Sequence, residues 1–292
     1  MSGIKMNIQK FLPWLDRKGQ LSWLKLAVLL GVLAPGLWIG WKLYAGMLGP
    51  KPINAALHEI GLWSVRLLLL TLAITPLRLI TGQNRLILVR RMLGVASFAY
   101  GIIHLALYIV DQNFNLLRVA SEIVLRFYLL IGFAGLIGLA ALAATSTDAM
   151  IRRLGALRWN RLHRLVYPIA LLALWHGALQ SKIDASEHII MTGLFLALMA
   201  VRAMRGRVPV NALTLLGLAI LALAATALVE VLWYALATGI PARRIFDANF
   251  MLALQPRPAL VVGMIVMSLP VLSLVSGGMN RNAAGRRAMQ SS

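Results

Sequence analysis

Two histidines lie in one strongly apolar stretch, Arg158–Gln180, of this chain of 292 residues. His163 and His176 are thirteen residues apart. That spacing corresponds to ~20 Å along an α-helix, so the two rings would lie near opposite faces of a hydrocarbon core. Ionisable residues inside a membrane span are costly and usually serve a site, and imidazole is a normal axial ligand of haem iron. The spacing therefore predicts two redox centres stacked across a membrane.

The helical phase of these two histidines is a difficulty for that interpretation. In a straight helix a thirteen-residue step rotates by roughly −140°, so the rings would leave different faces. Pro168 lies between them, and a proline kink can turn both rings toward one bundle interior. We therefore predict a kinked span.

A second apolar span supplies further candidates for haem binding. His104 is expected near its outer end, at the depth of His176, so that the two would clamp an outer haem. Arg90 lies fourteen residues earlier, ~21 Å away and roughly −40° out of phase, where a fourth ligand would be needed. Arginine is a poor ligand because it stays protonated. Arg90 and Arg91 are therefore either charges that set topology or neighbours of an inner haem held by His163.

Other polar residues within apolar stretches have weaker interpretations. A membrane histidine is often no more than a hydrogen-bond partner of a neighbouring helix. His58, at the outer start of a span, is structural, interfacial or close to a haem edge. Arg66 falls near mid-span and should have a partner. His188 is expected in a loop.

The composition of the chain indicates that membrane-spanning helices position these histidines and arginines. The chain is 60% hydrophobic, with a mean hydropathy of +0.80, and several apolar runs reach the ~20 residues that cross a bilayer. We predict an all-α membrane protein with six spans in one bundle and about two additional C-terminal spans. The eight spans are expected at 23–41, 57–77, 92–110, 127–145, 163–180, 189–204, 212–236 and 258–276.

The basic residues predict orientation rather than nucleic-acid binding. The formal net charge is +20, but the arginines and lysines concentrate in alternate short loops, where they set topology and contact anionic lipid. This pattern places the N-terminus and His163 on the cytoplasmic side and His176 on the outer side. Because the chain has no cysteine, iron–sulfur clusters and thiolate-ligated haem on it are excluded. No catalytic constellation or metal-spaced carboxylate cluster stands out either.

A series of motifs resembles the MsrQ family, the haem-binding membrane subunits of a periplasmic methionine sulfoxide reductase system, within the wider ferric-reductase-like transmembrane group. The resemblance covers about residues 23–206. The matching residues are Leu48-Gly49 with Pro52, His58 with Gly61, Ile74-Thr75-Pro76-Leu77, Arg90-Arg91-Met92-Leu93-Gly94 leading to His104, Thr145 to Met150, Arg152 to Gly155, Trp159, and Leu162 to Tyr167.

This resemblance implies an electron-transfer subunit, with no catalytic site of its own, in the bacterial inner membrane. It implies b-type haem (heme b), one or two per chain, held by His104, His163 and His176, and a flavin mononucleotide (FMN) in some members. Electrons would arrive from a cytoplasmic flavin reductase or the quinone pool. They would leave to a periplasmic molybdopterin methionine sulfoxide reductase, MsrP, which repairs oxidised proteins.

Two departures from the family pattern matter. The gap between Gly155 and Trp159 is one residue longer than usual, and the last ~85 residues extend beyond the family core. We expect a cytoplasmic segment at 1–22, the haem-binding domain at 23–206, an additional hairpin at 207–276 and a polar, disordered tail at 277–292.

Two rival functions remain at this stage. One is a stand-alone ferric or quinone-linked reductase, although a full ferric reductase would carry a flavin and nicotinamide domain that no segment here could form. The other is a transporter or assembly protein with structural histidines, although repeated halves and broken helices, typical of transporters, are not evident.

Overall fold

The computed structural model describes residues 13–15, 19–181, 184–249, 251 and 256–290, without the side chains of 276–290. These residues form eleven α-helices, and their only bridge pairing joins Leu15 and Leu21. A single 3₁₀ turn at Asn84–Leu86 precedes the third helix. In chain order the helices are α1 (Trp23–Tyr44), α2 (Pro52–Thr81), α3 (Ile87–Asp111), α4 (Leu116–Leu125), α5 (Phe127–Ala144), α6 (Asp148–His163), α7 (Val166–Gln180), α8 (Ser186–Met204), α9 (Ala212–Thr238), α10 (Ala242–Ala248) and α11 (Pro258–Gln290).

Within the described ranges, seven helices are long and apolar enough to cross a membrane. The pair α6 and α7, bent by 41° at a short break, would be an eighth span if it crosses as one unit. The predicted class, an all-α multi-pass membrane protein, is confirmed. The division into six spans plus two stays a prediction, and most of the segment expected at 1–22 lies outside the described residues.

Three helices, α4, α6 and α10, lie in the connections between the predicted spans, and side chains cap the first two. The side chain of Asn115 caps α4 by accepting a hydrogen bond from the N–H of Arg118 at 3.0 Å. The hydroxyl of Thr147 caps α6 in the same way, so the arginine-rich connection expected to be a loop is helical. The third, α10, is a short helix between α9 and α11, and residues 252–255 after it lie outside the described part.

The C-terminal helix α11 is longer than its predicted span. Its backbone is helical to Gln290, and the polar, disordered tail expected at 277–292 stays a prediction. A proline at position 270 lies inside the helix, where it removes one backbone hydrogen bond without ending the helix.

The helices pack into two compact units. The first comprises the residues up to Thr71 together with Ile87–Gly177, and so holds α1, most of α2 and α3 to α7. The second comprises Leu72–Leu86 and the residues from Ala178 onward, in which α8 packs with α9 and α11. This division differs from the family boundary expected at residue 206, because α8 belongs to the second unit.

In the first unit, a tyrosine of α3 joins the backbone of α1. The hydroxyl of Tyr100 donates to the carbonyl of Val32 at 2.6 Å and accepts from the N–H of Gly36 at 2.8 Å. It thereby bridges two backbone groups that ordinarily bond to each other four residues apart in a helix. Pro35 lies in the same turn, where the helix ladder is already interrupted. Polar groups inserted in this way hold helices together where lipid provides little hydrophobic driving force.

Two buried serines fix α2 against α3 in the same unit. The hydroxyl of Ser64 donates to the carbonyl of Ser97, and the hydroxyl of Ser97 donates to the carbonyl of Ser64, each at 2.8 Å. Small residues let the two backbones approach closely enough for this exchange. The relative depth of the two helices is therefore set by paired hydrogen bonds as well as by packing.

The second unit contains an apolar core and a buried carboxylate that is paired with an arginine. Arg257 donates to the Oε1 atom of Glu230 at 3.2 Å, and the carboxylate is fully buried. A buried carboxylate of this kind needs its cation, because removing one partner of such a pair typically costs ~3–5 kcal/mol. The buried core residues are Ile80, Ala197, Val201, Leu215, Leu218, Ala219, Ala222, Val262 and Val266.

Candidate functional site

Two imidazole rings from different helices face each other inside the first unit. His104 of α3 and His176 of α7 have ring centroids 6.1 Å apart, and their planes are inclined by 83°. The sequence predicted that these residues share a depth, and the structure brings them together. Whether the two rings can hold a metal ion depends on which ring nitrogen is protonated and on the distance between the rings.

The backbone fixes the protonation pattern of both rings. The Nδ1 atom of His104 lies 2.9 Å from the carbonyl oxygen of Leu57 in α2. The Nδ1 atom of His176 lies 2.7 Å from the carbonyl oxygen of Tyr128 in α5. A carbonyl oxygen only accepts hydrogen bonds, so each Nδ1 carries a proton, and each neutral ring keeps its lone pair on Nε2. This is the tautomer and the backbone support that metal-ligating histidines usually have.

The separation of the two rings fits one iron atom between them. Two metal–nitrogen bonds of ~2 Å, with ~1 Å from each nitrogen to its ring centre, give ~6 Å between ring centres. The observed 6.1 Å matches that sum. In the described part of the chain, no group of three or more histidine, cysteine or carboxylate side chains is arranged to hold a metal ion. Two histidine nitrogens are the usual protein ligands of a haem iron, whose other ligands belong to the cofactor itself.

His163 lies in a different environment at the end of α6. Its ring stacks on Trp159, one helical turn earlier, with centroids 3.9 Å apart and planes inclined by 24°. Its Nε2 atom lies 3.2 Å from the hydroxyl of Thr145, and that hydroxyl also bonds to the carbonyl of Ala141 at 2.8 Å. Both bonds are satisfied when the hydroxyl donates to the carbonyl and accepts from Nε2–H. This arrangement does not present a bis-histidine site.

Arginines surround that second environment. The guanidinium groups of Arg90 and Arg91 lie within electrostatic range of His163. Arg91 also forms an ion pair with Asp148 at 2.6 Å, joining the start of α3 to the start of α6. The predicted neighbourhood of Arg90, Arg91 and His163 is therefore present, whereas the proposed contacts of either arginine with a haem stay predictions.

The phase difficulty between His163 and His176 has a simpler solution than the predicted proline kink. His163 is the last residue of α6, and α7 begins at Val166, so the two histidines lie on different helices. Pro168 falls in the first turn of α7, where a proline is tolerated because the N–H groups of that turn have no intrahelical partner. The bend lies at Arg164-Leu165 rather than at Pro168, and the crossing of α6 and α7 as one broken span stays a prediction.

Three further predicted residues have clear positions. His58 is exposed on α2 and its Nδ1 atom lies 2.7 Å from the carbonyl of Asn54, although the ring is within electrostatic range of His104. Arg66 lies over the ring of Trp63 at 5.0 Å, which gives this mid-span cation a partner. His188 is in the first turn of α8 rather than in a loop.

Sequence reasoning gave no role to the residues that support the histidines. Gly61 and Gly132 lie directly against the rings of His104 and His176, and Thr145 with Trp159 holds His163. Three of these four stand among the matching motif residues, but their roles depend on contacts between helices. Every glycine inside a helix follows a backbone carbonyl by four residues. The spacing therefore indicates a glycine that supports a histidine only when the helix that carries the histidine is known to pack there.

Comparison with known proteins agrees with this architecture. The model of the family described as ferric reductase like transmembrane component matches residues 60–174. A protein-methionine-sulfoxide reductase heme-binding subunit MsrQ of Rhodospirillum rubrum is 43% identical over 179 residues, 61% of this chain and 86% of the relative. The proteins of the same name from Caulobacter vibrioides and Xanthomonas campestris are 41% and 42% identical, over 86% and 84% of their lengths.

No solved structure matches the chain. The relatives are more than 40% identical over more than four fifths of their own length, which defines the family. The chain therefore belongs to the MsrQ family.

Proposed function

We propose that this protein carries electrons across the bacterial inner membrane to a periplasmic methionine sulfoxide reductase, by way of haem bound between His104 and His176. The observation that carries the proposal is the pair of rings 6.1 Å apart, both held by backbone carbonyls in the tautomer that leaves Nε2 for a metal. The names of the relatives, which are heme-binding subunits of that reductase system, support the choice of cofactor and pathway.

The residues of the pair have defined tasks in this proposal. His104 and His176 would provide the two axial nitrogens, and the carbonyls of Leu57 and Tyr128 would prevent either ring from rotating. Bound haem would supply reversible one-electron chemistry. With two neutral imidazoles holding its iron, the site would suit electron transfer rather than binding of a substrate to the metal.

The opposite end of α3 is proposed as the side where electrons enter. Arg90 and Arg91 lie close to His163 there, and α6 adds Arg152, Arg153, Arg158 and Arg161. By the positive-inside rule this end faces the cytoplasm, so the N-terminus is cytoplasmic. The basic surface would attract an anionic donor such as reduced FMN or an acidic flavin reductase, while quinol remains the uncharged alternative.

A second haem is proposed near His163, which would have to ligate through Nδ1 or release its bond to Thr145. With one haem near each face, an electron would cross the field of the membrane between them, a term of ~2.3 kcal/mol per 100 mV. In this proposal the chain is an electron-transfer subunit, and the reducing and sulfoxide-reducing enzymes are partners.

Reconstitution in vesicles tests this function. The purified protein is inserted into vesicles that enclose a molybdopterin methionine sulfoxide reductase and a methionine sulfoxide, with NADH, flavin and a flavin reductase outside. We expect reduction of the enclosed sulfoxide only when all three proteins are present. The His176→Ala variant should abolish it.

The outcomes separate the rival functions. Sulfoxide reduction by this chain without the enclosed enzyme would overturn the assignment of catalysis to a partner. Rapid transfer to enclosed ferric iron or quinone, with none to the reductase, would favour a stand-alone reductase. A colourless protein with no electron transfer would favour a transporter or assembly protein.

A further inference from the structure

We propose that Gly61 and Gly132 are positioning residues that set the orientation of the two haem-ligating rings. Each glycine would provide a notch in a helix surface into which one imidazole fits, and we call these positions the glycine notches. The inference rests on the proposed haem site between His104 and His176. It goes further by naming what fixes the ring planes.

The notch at His176 is the tighter of the two. A Cβ atom at Gly132 would lie 2.6 Å from Nδ1 and 2.8 Å from Cε1 of His176. The same Nδ1 donates to the carbonyl of Tyr128, four residues before Gly132 on α5. In a helix that carbonyl also accepts the N–H of residue 132, so the ring lies on the backbone where only a glycine leaves room.

The notch at His104 repeats this arrangement on another helix. A Cβ atom at Gly61 would lie 2.8 Å from Nδ1 and 2.9 Å from Cε1 of His104. The acceptor carbonyl belongs to Leu57, again four residues before the glycine. Both candidate ligands thus use the same device, a backbone carbonyl at one position and a missing side chain one turn later.

Gly36 in α1 forms a third notch in the same unit, and this one holds a tyrosine instead of a histidine. Tyr100 donates to the carbonyl of Val32, and a Cβ atom at Gly36, four residues later, would lie 2.9 Å from the tyrosine hydroxyl. The geometry and the crowding are similar, yet this contact joins α3 to α1. Gly36 therefore offers a matched control in which the packing effect occurs without a ligand ring.

An alanine in either notch would change the haem site itself, which a general loss of fold stability would not do. The methyl group would push the ring away from the carbonyl, which weakens the Nδ1–H bond and rotates the imidazole about its bond to the metal. Losing the backbone partner of a ligating histidine typically lowers metal affinity ~10–100-fold. The rotation also changes which iron d orbital each ring overlaps, and so changes the low-spin resonance spectrum.

The test compares three alanine variants of the full chain. Gly61→Ala and Gly132→Ala are expected to bind haem ~10–100-fold more weakly than wild type, or to retain it with a shifted largest g-value in the paramagnetic resonance spectrum. Gly36→Ala should lower the thermal unfolding temperature without moving the g-values. Gly31→Ala, where a Cβ would meet nothing within 4 Å, should change neither property.

The results distinguish this inference from the function on which it rests. If His176→Ala removes the signal while both notch variants keep the wild-type spectrum and haem content, the positioning inference is wrong and the haem site stands. If His176→Ala itself leaves the signal unchanged, the proposed haem site has failed first. Equal spectral shifts in Gly36→Ala would show that the notches act only through packing.

Because the two notches lie on different helices, Gly61→Ala and Gly132→Ala test the inference independently. One of these variants in folded form is therefore sufficient for the test. If neither folds, electron–nuclear double resonance on the wild type provides the readout. It should find one exchangeable, hydrogen-bonded Nδ1 proton on each axial imidazole. Absence of either proton would overturn the inference.

Discussion

The two histidine environments of the first unit use their imidazole nitrogens in opposite ways. In the pair, Nδ1 of His104 and of His176 is bonded to a helix carbonyl, so Nε2 of each neutral ring keeps its lone pair. In the single environment, Nε2 of His163 is bonded to the side chain of Thr145, and a ring face is covered by Trp159. The pair is held by backbone, whereas the single histidine is held by side chains.

The two histidine environments therefore differ in how rigidly they hold their rings. A carbonyl inside a helix is held in place by the helix, so the two paired rings are supported by rigid groups. A threonine hydroxyl and an indole can change rotamer, so the surroundings of His163 can adjust at smaller cost. We therefore expect the pair to dominate haem binding and the His163 environment to be the more adaptable one.

The largest expected effect is loss of haem from the pair. His176→Ala removes one axial nitrogen and leaves an incomplete site, so about one haem per protein should disappear from the Soret absorbance and from the pyridine haemochrome assay. His188→Ala, in the second unit, is the control and should retain the wild-type haem content. Unchanged haem in His176→Ala would refute the assignment of the pair.

A smaller effect is expected at the other end of α3. His163→Ala should leave the absorbance of the pair in place but abolish reduction of the protein from its arginine-rich side in vesicles. Stopped-flow reduction by an external flavin reductase measures this step. If electrons still enter at the wild-type rate, His163 has no part in the path.

Trp159→Leu should affect stability more than haem. The substitution removes the stack on His163 and the bond from the indole N–H to the carbonyl of Thr145 at 2.9 Å. Together these contributions amount to about 1–3 kcal/mol of unfolding free energy. Denaturant titration in detergent should show that loss, whereas Trp38→Leu, at an exposed position, should show little. A change in the haem content of the pair would mean that the two environments are coupled.

The smallest effect is expected from the exposed ion pair at the start of α3. Arg91 and Asp148 are 2.6 Å apart but their side chains are 47% and 72% exposed. A double-mutant cycle with Arg91→Gln and Asp148→Asn should therefore give a coupling free energy of about 0–1 kcal/mol. A larger coupling would show that the ion pair helps to hold the His163 environment.

Depth was predictable from the sequence, but contacts between helices were not. A constant rise per residue was enough to pair His104 with His176, because both residues lie at about the same distance from the outer end of their predicted spans. The break after His163 was missed because nothing in Arg164-Leu165 marks a helix end. The helix that carries Trp159 was read as a loop because its arginines dominate the composition.

The glycines illustrate the same limit. Gly132 stands in an apolar run together with Gly135 and Gly138, and only the ring of His176 distinguishes its role. Gly155 is different, because its φ of 73° breaks α6 four residues before Trp159. A positive φ is readily adopted only by glycine, so the residue type marks this break.

Electron paramagnetic resonance of the oxidised protein tests most directly whether His104 and His176 ligate the same iron. With ring planes inclined by 83°, each imidazole overlaps a different iron d orbital, the two orbitals stay close in energy, and the low-spin signal should be strongly anisotropic with a large g-maximum. We predict that this highly anisotropic signal is present in the wild type and in His163→Ala and is lost in both His104→Ala and His176→Ala. Survival of the signal in either of the last two variants, or a rhombic signal typical of parallel rings, would contradict the account.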